Sequence, residues 1–121
     1  MAESGALPRV VLVVEDEAFV RTCVSMHLEG CGFSVIEAAD AAEALRAFAS
    51  DERVSAVFTD INMPGGMGGL LLAREIYALR PQVRVIITSG RGEPAGSEMP
   101  SGAQFLPKPY DYGLLERLLA A

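Results

Sequence analysis

Apolar and polar positions follow two rhythms along this chain. Val10-Val11-Leu12-Val13-Val14 is a continuous, mostly β-branched run, too short for a helix, and predicts a strand buried on both faces of a parallel sheet. Phe33 to Ile36, Val54 to Thr59, Val83 to Thr88 and Gln104 to Leu106 predict further strands. The last is placed at an edge, because Pro107 removes a backbone donor. Between the strands the period lengthens. Val20, Val24 and Leu28 recur at i, i+4 and i+8 within Ala18 to Glu29 and predict an amphipathic helix, with Gly30 as its C-cap glycine. Asp40-Ala41-Ala42-Glu43 has the form of a capping box opening a helix that reaches Ser50. Leu70 to Leu79, stopped before Pro81, and Gly113 to Ala120 predict two more. Gly90, Gly92, Pro94, Gly96, Pro100 and Gly102 crowd the remaining connection. Each costs about 1 to 3 kcal/mol inside a helix, so any helix there is short or absent. The alternation as a whole predicts an α/β fold, a parallel sheet with helices on both faces.

Length and charge narrow the class. The 121 residues fit a single domain, expected over residues 1–121, and half are hydrophobic, so a packed core is expected rather than disorder. No apolar run approaches the roughly 20 residues of a membrane span. Met1 to Gly5 lacks the charged and apolar regions of a signal peptide, so the expectation is a soluble, cytoplasmic protein without membrane contact. A net charge of −6, with the basic residues scattered, argues against a nucleic-acid surface. Cys23 and Cys31 have no second pair to complete a metal site and are expected as reduced, mostly buried thiols. His27 lies in the first predicted helix, away from the strand ends, and is expected to be partly exposed and non-catalytic.

Chemistry gathers at the predicted C-terminal ends of strands. Glu15 and Asp16 follow the first strand, Asp60 the third, Thr88 closes the fourth and Lys108 follows the fifth. Open α/β sheets bind ligands at that edge, so residues from most of the sequence converge on one pocket. Two unit charges 4 Å apart interact by about 4 kcal/mol at an effective dielectric near 20, so three carboxylates together call for cations. Lys108 supplies one, and an oxygen-only donor set suits Mg²⁺ better than zinc. Asp60 is then a plausible carboxylate nucleophile towards phosphorus, with Mg²⁺, Lys108 and Thr88 around the transferred group.

Four segments carry a resemblance: Val10 to Glu17, Phe58-Thr59-Asp60-Ile61-Asn62-Met63-Pro64-Gly65, Ile87-Thr88-Ser89-Gly90 and Phe105-Leu106-Pro107-Lys108-Pro109-Tyr110. In order and spacing, from about Arg9 to Leu119, the chain resembles the receiver domains of two-component response regulators. The resemblance implies a flavodoxin-like (βα)5 doubly wound fold, with a parallel five-stranded sheet in order 2-1-3-4-5. It makes Asp60 the phosphoacceptor, supplied by a histidine kinase or histidine phosphotransfer protein. Asp16 and Asp60 would ligate Mg²⁺, Glu15 directly or through water, and Asn62 through its backbone carbonyl. Thr88 and Lys108 would contact the phosphoryl oxygens, Thr88 and Phe105 would form the switch, and Lys108-Pro109 would be cis. The product would be a conformational switch controlling an unknown downstream protein, not an enzyme in the turnover sense.

Two departures stand out. The loop after Asp60 is one residue longer than the common form and has Gly68 where Asp is frequent, which implies a more mobile backbone. The fourth helix of the family falls in the Gly- and Pro-rich stretch. A degenerate receiver-like interaction module is the alternative, although the acceptor, the Lys and the acidic pair are all present. A dehalogenase-type phosphatase lacks its Asp-x-Asp pair here, and a flavodoxin lacks its Ser/Thr-rich phosphate loop after Val14.

Overall fold

A computed structural model describes residues 9–63 and 67–120. The order of elements is β1 (Val10–Val14), α1 (Ala18–Gly30), β2 (Ser34–Ala38), α2 (Ala41–Ser50), β3 (Val54–Asp60), α3 (Gly69–Leu79), β4 (Arg84–Ser89), β5 (Gln104–Pro107) and α4 (Tyr112–Ala120). The strands form one parallel sheet in the order β2-β1-β3-β4-β5, which is the doubly wound α/β arrangement expected. Among the described residues no helix is long and apolar enough to cross a membrane.

Alternation along the strands builds two hydrophobic layers. Leu12, Val14, Val57, Val85 and Ile87 face α2 and α3, where Phe48, Leu72 and Ile76 are fully buried. Val11, Val13, Phe58, Ile86 and Leu106 face α1 and α4, against Val24, Leu28, Leu115 and Leu119. Every residue of β1 is buried, which explains its unbroken apolar run. Pro107 ends β5, an edge strand, where its missing donor costs no ladder bond.

Helix boundaries follow their caps. Asp40 Oδ1 accepts from the Glu43 N–H at 2.8 Å, and Glu43 Oε1 reaches back to the Ala39 N–H at 2.7 Å. The exit of α1 differs from expectation. The helix continues through Gly30, and the left-handed residue is Gly32, at φ +99°. Gly32 N–H donates to Glu29 O, and Phe33 N–H to Leu28 O, which is a Schellman motif. That motif commits the Phe33 donor, so β2 starts one residue later than predicted and runs on to Ala38.

Between β4 and β5 the only helical turn among the described residues is a single 3₁₀ turn at Gly96–Glu98, as the glycines and prolines require. Two sequence expectations need correction or limits. Cys31 is exposed and Cys23 only half-buried, because Cys31 occupies the solvent-facing C-cap of α1. The loop after Asp60 includes residues 64–66, which lie outside those described, so its expected mobility does too.

Candidate functional site

Parallel register places the polar residues together. Asp60 on β3 pairs with Thr88 on β4, so their side chains leave the same face of the sheet at the same level. Val14 pairs with Thr59, which sets Glu15 beside Asp60 one step further on. Lys108 is carried in from β5, where Leu106 pairs with Thr88, and its N–H donates to Ser89 O at 3.0 Å. The Lys108-Pro109 bond is cis, as anticipated.

The side chains form one electrostatic cluster. Lys108 Nζ lies 2.5 Å from Asp60 Oδ2 and 3.9 Å from Glu15 Oε1. Asp60 is 5 % exposed and Glu15 7 %, whereas Asp16 is exposed at the rim. Asp60 Oδ1 accepts the Asn62 N–H at 2.9 Å, and Glu15 Oε2 accepts the Glu17 N–H at 2.9 Å. Each acid is thereby tied to the backbone through one oxygen. Burial pushes the Glu15 carboxyl above the usual carboxylate range; the Glu17 N–H and Lys108 oppose this, while Asp60 and Asp16 add to it. Desolvation works against the Lys108 ammonium. The hydrogen bond and charge of Asp60, with Glu15 and Asp16, outweigh it and hold Lys108 above its ordinary value.

Thr88 carries the most informative vacancy in the hydrogen bonding. Its Oγ1 is buried, in a residue 1 % exposed, and has no hydrogen-bond partner among the described residues. A buried hydroxyl without a partner is costly and uncommon, and here it sits on the strand register of Asp60. Phe105 is half-buried against the α2–α3 layer and pairs with Ile87, one residue before Thr88.

Two features of the site escaped sequence reasoning. The sequence points to Asn62 only through its carbonyl, whereas the structure has its N–H orienting Asp60. Gly69 is the second. A Cβ there would stand 2.0 Å from the Asp60 carbonyl oxygen and 2.8 Å from Ile61 Cα, both backbone atoms. The first turn of α3 therefore rests directly on the Asp60 peptide, and only glycine permits it. Gly69→Ala is expected to destabilise the fold by about 1–3 kcal/mol or more, as overpacking against an immovable neighbour does. Gly30→Ala, whose Cβ meets nothing within 4 Å, is the control and should gain up to about 1 kcal/mol. Urea unfolding of the two variants checks the contrast.

The donor set fits a hard divalent cation. Glu15, Asp16 and Asp60 offer carboxylate oxygens at the strand ends with no thiol or imidazole among them, and their mutual repulsion is only partly met by Lys108.

Comparison with known proteins identifies the family. The family described as response regulator receiver domain matches residues 11–120. The C4-dicarboxylate transport transcriptional regulatory protein DctD of Rhizobium meliloti is 38% identical over 109 residues, covering 88% of this chain and 23% of that protein. The chain thus spans about a quarter of that regulator's length. A response regulator receiver domain protein from Clostridium thermocellum superposes with a TM-score of 0.85 at 31% identity, covering 92% of this chain and 90% of the other. TrrA of Thermotoga maritima, solved in complex with Mg²⁺-BeF, superposes at 0.79 with 25% identity, covering 93% and 96%. By sequence and by fold, this chain belongs to the response regulator receiver domain family.

Proposed function

We propose that the pocket is a Mg²⁺-dependent phosphoacceptor site, in which Asp60 takes a phosphoryl group from a phosphohistidine on a cytoplasmic histidine kinase or histidine phosphotransfer protein. The observation that carries this reading is the unpartnered Thr88 hydroxyl level with Asp60, beside a lysine 2.5 Å from the acceptor oxygen. Glu15, Asp16 and Asp60, with the Asn62 carbonyl, would hold the ion. When bound, it neutralises charge on the phosphoryl oxygens.

An Asp60 carboxylate oxygen forms the new O–P bond while the P–N bond to the donor imidazole breaks. The imidazole nitrogen keeps the bonding pair and takes a proton from solvent, so that it leaves as neutral imidazole. Asn62 N–H holds the other carboxylate oxygen in place through the transfer. Lys108 stays beside Asp60 and shields the negative phosphoryl oxygens. The Thr88 hydroxyl donates to one of those oxygens, which satisfies a group otherwise without a partner. Movement of Thr88 towards the phosphoryl group alters the space beside β5 and lets Phe105 repack, so that a downstream protein reads the changed surface. With a single 3₁₀ turn between β4 and β5, that surface differs from one built on a full helix.

Addition of Mg²⁺ and beryllofluoride, the pair present in the TrrA complex, tests the reading by thermal unfolding. At tenfold excess over its dissociation constant a ligand stabilises by about 1.4 kcal/mol, which raises the midpoint by a few degrees. The shift is expected in the unaltered chain and absent in Asp16→Ala. No shift in the unaltered chain would favour a degenerate interaction module.

A further inference from the structure

We propose that His27, Cys31 and Glu116 form a second metal site, for one zinc-class divalent ion, bridging α1 and α4. Cys31, the C-cap of α1, follows His27 by four residues and its N–H still donates to the His27 carbonyl, so the two side chains lie on one side of the last turn. Packing of α4 on the same sheet layer brings Glu116 to them. His27 Nε2 lies 3.6 Å from Cys31 Sγ and 3.7 Å from Glu116 Oε1, and all three donor atoms fall within 4.8 Å of one another. Tetrahedral zinc, with bonds of about 2.3 Å to sulfur and 2.0–2.2 Å to nitrogen or oxygen, sets its ligand atoms about 3.4–3.6 Å apart. The sulfur–nitrogen edge already matches that spacing, the nitrogen–oxygen edge lies just outside it, and the third would close by side-chain movement.

The donor types select the ion. A thiolate and an imidazole suit zinc and disfavour Mg²⁺, whose preference is for the oxygen-only pocket at the strand ends. Binding displaces the Cys31 thiol proton to solvent, and the thiolate with the Glu116 carboxylate balances the dication. The Tyr112 ring lies 5.1 Å from the His27 ring, tilted by 55°, and holds the imidazole with Nε2 towards both partners. The His27 and Glu116 side chains are 33% and 42% exposed, so an ion has a path in and water can take a fourth position.

The site is separate from the acidic pocket. α1 starts beside Glu15 at the C-terminal ends of the strands and runs back towards the other end of the sheet. His27 is ten residues beyond Glu17, about 15 Å along the helix axis. An ion there would clasp the C-terminal turn of α1 to α4 without touching the acceptor.

Zinc titration of the whole chain against a chromophoric chelator, in saturating Mg²⁺ and reductant, tests the proposal, with Co²⁺ as a spectroscopic substitute. One ion per chain is expected, with a thiolate-to-cobalt absorption band. Cys31→Ser and His27→Ala should each weaken binding at least about tenfold, since even loss of an outer-shell partner commonly does so. Cys23→Ser should leave it unchanged. Absence of the thiolate band, or equal affinity in Cys31→Ser, would reduce the cluster to a surface ion pair beside a thiol and overturn the site.

Discussion

Lys108→Ala is expected to slow phosphoryl uptake from a small-molecule donor by about 10²–10³-fold, the usual cost of deleting one preorganised electrostatic group at a reacting centre. Lys108 Nζ contacts the acceptor oxygen and stands within 4 Å of Glu15. Removing it exposes the incoming phosphoryl oxygens to a pocket of uncompensated carboxylates. The same change should tighten Mg²⁺ binding, because a competing positive charge leaves the carboxylates. Slower transfer with tighter metal separates this mechanism from simple unfolding, which would weaken both. An unchanged rate, measured with Mg²⁺ saturating, would remove Lys108 from the chemistry.

Asp60→Asn is expected to abolish uptake altogether while leaving the fold intact. The amide is nearly isosteric, and its carbonyl oxygen can still accept the Asn62 N–H now bound by Oδ1. It has no anionic oxygen to attack phosphorus. The lysine keeps a second carboxylate, Glu15, within reach, so the substitution does not strand a charge without any partner. The urea midpoint should therefore move little, and loss of transfer can be assigned to the missing nucleophile.

Much of this was legible in the sequence, for physical reasons that differ by element. β1 announced itself because a strand buried on both faces must be apolar throughout, and all five residues are buried. That Asp60, Thr88 and Lys108 lie at one edge was readable because strand ends in a parallel sheet point the same way, and the register brings Asp60 level with Thr88. The exit of α1 was misplaced by two residues. Gly30 and Gly32 both suit a cap, and only the bonds of Gly32 and Phe33 to the last turn decide between them.

Contacts made through tertiary packing were not legible. Gly69 reads as one glycine among several after Asp60; its role depends on how closely α3 approaches the Asp60 carbonyl. Cys31 and His27 stand one helical turn apart in the sequence, but Glu116 joins them only once α4 packs beside α1. A search for a second cysteine pair could not find a mixed set of ligands drawn from two helices.

The most direct measurement is the intact mass of the protein after incubation with Mg²⁺ and acetyl phosphate, alongside Asp60→Asn and an EDTA-treated sample. A gain of one phosphoryl group in the unaltered chain, absent from both controls, is the predicted result. A gain that persists in Asp60→Asn, or without a divalent ion, would contradict the assignment of Asp60 as the Mg²⁺-dependent acceptor.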